Sequence, residues 1–66
     1  MNPSPALATL YVRKADDHFI QRTAEGVEFT IRDTPLSRRI LDNPPVHIYA
    51  EDYYLIFDKV VWEEGD

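Results

Sequence analysis

The sequence predicts an α+β domain: a small antiparallel β-sheet of about four to six short strands, joined as hairpins and meander, with one short helix at about residues 34–42. Three observations predict it. Residues 27–32 alternate strictly between apolar and polar side chains, the period of a half-buried strand. Asp33-Thr34-Pro35 then switches the pattern to helical spacing, and Pro44-Pro45 ends it. A dense apolar and aromatic stretch, residues 46–62, follows the two prolines.

The elements follow in order. Residues 1–6 hold two prolines and no anchoring side chain, and read as a flexible N-terminal tail. Residues 7–13 are rich in β-branched and aromatic side chains, with Ala8, Leu10 and Val12 on one face of a strand. Lys14 to Asp17 is a polar turn. Residues 18–23 and 27–32 form a hairpin around Ala24-Glu25-Gly26, whose glycine supplies a left-handed residue at the last loop position. Val27, Phe29 and Ile31 face one way; Glu28, Thr30 and Arg32 face the other.

Asp33 or Thr34 caps the helix and Pro35 occupies its first turn. Leu36, Ile40 and Leu41 recur at helical spacing, leaving Ser37, Arg38 and Arg39 toward water. Val46 to Ala50 alternates again. Residues 53–57 are apolar on both faces, as expected of a central strand or of one sandwiched between the core and a partner. Asp58-Lys59 is either a turn or bulge or the middle of one long strand; a turn or bulge is the favoured reading. Continued alternation instead puts Leu55, Phe57 and Val61 on one face and Ile56, Val60 and Trp62 on the other. Residues 7–62 thus form a single domain, and residues 63–66 are a frayed acidic end.

Composition bounds the function. With 66 residues the chain buries only about 60% of the surface its unfolded form exposes, so a disulfide, a metal or a partner is the usual support. There is no cysteine, which removes disulfides, thiolate metal sites and cysteine nucleophiles together. Net charge is −5, against the basic excess of a duplex-binding domain, so direct nucleic-acid binding is not expected. Residues 1–32 hold four basic and four acidic side chains; residues 33–66 hold three basic and eight acidic, so the whole net charge lies in the second half. No signal-peptide pattern or membrane-length apolar run is present, and a cytoplasmic setting without membrane contact is the expectation.

No enzyme is expected. His18 and His47 are the only histidines, and metal or general-base chemistry needs more groups converging on them. Adjacent carboxylates such as Asp16-Asp17, Glu51-Asp52 and Glu63-Glu64 point to opposite faces when on a strand and form no acid–base dyad. Two glycines build no phosphate cradle, and no nucleophile elbow is present. No cofactor, metal or catalytic residue is assigned. Arg38 and Arg39 are a solvated helix face, with Arg39 complementing the helix dipole.

The informative cluster is aromatic and acidic. Tyr49, Tyr53, Tyr54 and Trp62 are interleaved with Glu51, Asp52, Asp58, Glu63 and Glu64. Tyrosine and tryptophan offer large, stiff, amphipathic contact area, and carboxylates steer association toward a basic surface. The sequence therefore points to a small acidic binding protein, an inhibitor or regulator docking on a basic, nucleic-acid-binding surface of a partner protein. Glu51, Asp52, Tyr53, Tyr54, Asp58, Trp62, Glu63 and Glu64 are the candidate contacts. In this general character it resembles small phage-encoded inhibitors, anti-CRISPR proteins among them, by class and without a shared motif. Two alternatives remain open. One is a homodimer or assembly subunit that completes its sheet with another chain; the other is a minimal ligand-binding or catalytic domain centred on His18 and His47.

Overall fold

The computed structural model describes residues 8–49, 51 and 54–64. The tail expected at 1–6, the candidate contacts Asp52 and Tyr53, and residues 65–66 of the acidic end lie outside them. Among the described residues, five strands and one helix run in the order β1 (Ala8–Ala15), β2 (His18–Arg22), β3 (Glu28–Arg32), α1 (Pro35–Asp42), β4 (Val46–Tyr49) and β5 (Tyr54–Trp62). The strands form a single sheet in the spatial order β3-β2-β1-β5-β4.

The sheet is mixed, which corrects the antiparallel expectation. β1–β2, β2–β3 and β4–β5 are antiparallel, but the two longest strands, β1 and β5, pair parallel at the centre. Topology gives the reason. α1 leaves β3 at one edge and delivers the chain to β4 at the other edge. β5 then turns back antiparallel to β4 and must run alongside β1 in the same direction. Parallel neighbours need such a crossover, and the helix is part of it.

Local chemistry explains the turns. Asp16 takes a positive φ of 55° in the two-residue connection between Ala15 and His18, so β1 runs two residues further than the sequence suggests. In the second hairpin Thr23 donates to the Val27 carbonyl and Gly26 donates to the Thr23 carbonyl, with Gly26 at φ 94°. That is the three-residue loop with a left-handed glycine read from Ala24-Glu25-Gly26.

Thr34 is the helix cap, and its partner is Ser37. The Ser37 amide donates to Thr34 Oγ1 at 3.1 Å and the Thr34 amide donates to Ser37 Oγ at 2.9 Å, a reciprocal capping box. Ser37 Oγ also donates to the Arg32 carbonyl at 2.6 Å. These bonds turn Ser37 inward, and it is buried. The expected helix face is therefore corrected: Ser37 and Leu41, one turn apart, face the sheet, while Leu36 is 66% and Ile40 41% exposed.

Leu10, Val12, Phe19, Leu41, Val46 and Phe57 form the core, with Ala8, Ile31, Ile48, Leu55 and Val60 packed against it. The strand residues among them lie on the helix-covered face, and Leu41 meets them from α1. β5 reaches that face with Leu55 and Phe57, then with Val60, which breaks strict alternation. A register shift explains it: Ala8 pairs with Phe57 but Thr9 pairs with Lys59, so Asp58 is an extra residue on β5. The favoured bulge is present, and β5 is also one continuous strand through it.

Candidate partner-binding surface

The register decides which side chains share the outer face of the sheet, the one α1 leaves uncovered. Tyr11 lies between Arg22 and Val61, Arg13 opposite Ile20, Thr9 opposite Lys59, and His47 opposite Ile56. Tyr49 sits directly opposite Tyr54 at the end of the β4–β5 pair. Several basic side chains, Arg13, Arg22, Arg32 and Lys59, are on this face, so the acidity of the second half is not spread evenly across it.

The candidate contacts separate into two ends of β5. Tyr54 and Trp62 are eight strand residues apart, about 26 Å at the rise of a β-strand. At one end, the rings of Tyr49 and Tyr54 stack with centroids 4.7 Å apart and planes 14° from parallel. Tyr54 also stacks on His47 at 5.7 Å and 23°, and its hydroxyl hydrogen-bonds His47 Nδ1. Partial burial, with Tyr49 alongside, raises the Tyr54 phenol above its usual pKa. Tyr49 nevertheless stays 75% exposed and Tyr54 46%. Glu51 follows in the connection to β5 and is exposed.

The other end is different in kind. Trp62 belongs to the helix-covered face, packed edge-on against Phe19 at 5.6 Å, with 46% of its surface open. Glu63 is anchored: its amide donates to the Val12 carbonyl at 2.7 Å and its carboxylate accepts from Arg22 at 3.4 Å. Glu64 is exposed beyond it, and Asp58 is exposed at the bulge between the two ends. The structure thus brings Tyr54 and Glu51 into one region and removes Trp62, Glu63 and Glu64 from it. Tyr49 and His47 join that region, and strand alternation in Val46-His47-Ile48-Tyr49 is the signal that places both on the side of Tyr54.

The histidines do not meet. His18 opposes Ala15, whereas His47 lies one row beyond the Ala8–Phe57–Val46 row. The seven residues from Ala8 to Ala15 alone span about 23 Å. Among the described residues no group of three or more histidines and carboxylates is placed to hold a metal ion. A 430 Å3 concavity on the outer face is lined by Tyr11, Arg22, Thr23, Glu25 and Glu63, with Arg22 and Glu63 tied to each other across it. No helix of the described residues is long and apolar enough to cross a membrane.

Asp33 accounts for two of the basic side chains. Its carboxylate accepts from Arg38 at 2.6 and 2.8 Å and from Lys14 at 3.0 Å, joining α1 to β1. The Arg38 guanidinium, then Lys14, holds the Asp33 carboxyl well below the usual carboxylate range.

Comparison with protein-family models, curated proteins and solved structures found no match.

Proposed function

We propose that this chain is a non-enzymatic binding protein of the cytoplasm that docks on a basic surface of a partner protein, acting as an inhibitor or regulator of nucleic-acid binding there. The observation that carries the reading is the stacked, exposed Tyr49–Tyr54 pair at the end of the β4–β5 hairpin. It sits in a stretch, residues 40–58, that holds Asp42, Glu51, Asp52 and Asp58 and neither lysine nor arginine. Exposed, mutually stiffened tyrosines lose little conformational freedom on contact, and the exposed Glu51 carboxylate two residues beyond Tyr49 supplies attraction over a Debye length. Blocking a phosphate-binding surface by charge is the consequence for the partner.

The test begins with a partner captured from the native host and identified by mass spectrometry. Reversing charge in Glu51→Lys with Asp52→Lys then slows association about tenfold or more at low salt and flattens its salt dependence, while the thermal melt is unchanged. Association insensitive to both salt and reversal contradicts the reading.

A second reading has its own observation. Both edges of the described sheet, β3 and β4, are without a strand neighbour. An open edge is a template for another copy, so the chain would be a homodimer or assembly subunit. Sedimentation at micromolar concentration separates the two: a strict monomer counts against the assembly.

A further inference from the structure

We propose that the outer face of the Tyr49 ring, together with the Glu51 carboxylate, is an arginine-binding site: the group a partner inserts here is a guanidinium, stacked on the ring and paired with the acid. The inference rests on the docking reading and names the chemistry of the contact. Three features of the hairpin carry it.

The first is the order of the stack. Tyr54 is nearly parallel to both His47 and Tyr49, with centroids 5.7 and 4.7 Å away, and occupies the middle position. Tyr49 packs on Tyr54 and is still 75% exposed, so ring surface away from that contact is available to a flat ligand. The cross-strand pairing of Tyr49 with Tyr54 holds that ring in place before anything binds.

The second is charge. Glu51 lies two residues beyond Tyr49, and residues 40–58 contain no lysine or arginine to compete for it. Lys59, the next base in sequence, is five strand residues from Tyr54, about 17 Å along β5 and beyond the bulge. A cation is therefore the complementary ligand. A nucleobase would stack as well on Tyr49, but its phosphate would meet the Glu51 carboxylate rather than a base.

The third is shape. A guanidinium is planar, weakly hydrated on its faces and carries its N–H donors in the plane. It can lie flat on a phenol ring while donating sideways to a carboxylate. The ammonium of lysine offers a point charge with a tightly held hydration shell and no flat face, so it loses more hydration to meet the ring and the acid together. The site accordingly discriminates between two cations of equal charge.

The experiment uses nona-arginine and nona-lysine peptides as probes of equal charge, titrated into the full chain at low salt and followed by calorimetry, with an oligothymidylate as a third probe. Wild type binds the arginine peptide roughly tenfold or more tightly than the lysine peptide. Tyr49→Leu loses that preference while keeping the circular-dichroism melt, Tyr49→Phe retains it, and Glu51→Gln weakens the arginine peptide most. Equal affinity for the two peptides, or a preference that survives Tyr49→Leu, overturns the arginine site and leaves docking on a basic surface standing. Failure of wild type to bind either peptide, whether or not it takes up the oligothymidylate, overturns both.

Discussion

Ser37 shows how a single side chain reorients an element. By hydropathy a serine belongs outside, and Leu36 and Ile40 inside. Three hydrogen bonds to Thr34 and Arg32 reverse that order, because a hydroxyl with satisfied partners can be buried at little cost and here also ties the helix to the end of β3. Ser37→Ala strands the Arg32 carbonyl and removes half the capping box, and lowers stability by about 1–2 kcal/mol in urea unfolding. The cap position itself was legible, since Asp33 and Thr34 were both candidates; the inward serine was not, because no apolar pattern announces it. Asp33 serves the ion pairs instead. Its carboxyl titrates below its unfolded value, so its contribution to stability is complete above the ordinary carboxylate range and is lost as pH falls through about 4 and below. Asp33→Asn removes that acid-sensitive component: the urea midpoint of the variant changes less than that of wild type between pH 6 and pH 2, and a parallel decline in both would refute the assignment.

At the scale of the element, β5 is the informative case. Its apolar residues are visible in sequence, and residues 53–57, apolar on both faces, leave open a central strand or one sandwiched between core and partner; the pairing sets β5 between β1 and β4. What periodicity alone leaves unsettled is the parity after Asp58. One extra residue puts Val60 and Trp62 on the same side as Leu55 and Phe57, and the outer face receives Val61 instead. A one-residue change of register exchanges faces along a strand. Deleting Asp58 therefore drives Val60 and Trp62 away from Leu10 and Phe19 and costs roughly 3 kcal/mol or more, enough to unfold a domain this small, whereas Asp58→Ser leaves the melt within about 0.5 kcal/mol of wild type. Equal stability of the two variants would show that the bulge is not what sets the faces. The parallel pairing of β1 with β5 was hidden for a related reason. Alternation reports which face a residue occupies and carries no record of the direction of a neighbour 45 or more residues away.

Across the whole molecule, the charge arithmetic held its sign but not its geography. All of the net −5 lies in residues 33–66, yet β5 is long enough to carry its two acidic ends far apart. Asp33 is neutralised by Lys14 and Arg38, and Glu63 by Arg22. The exposed carboxylates of Glu51, Asp58 and Glu64 are thus spread along β5 and its two ends, and Glu51 is the one in the connection that follows the Tyr49 end of β4. Sequence showed the ingredients, Tyr49, Glu51 and Tyr54, within six residues of one another. It did not show that Trp62 and Glu63 leave them, because that separation follows from strand length and pairing rather than from proximity in the chain. The central claim, that the molecule meets its partner at the end of the β4–β5 hairpin, is tested most directly by mapping. Amide and tyrosine ring resonances of isotope-labelled protein are followed by NMR during titration with nona-arginine at low salt. Shifts concentrated on His47, Tyr49, Glu51 and Tyr54 are the predicted result; shifts centred on Tyr11, Arg22 and Glu63, or spread evenly along the sheet, would contradict it.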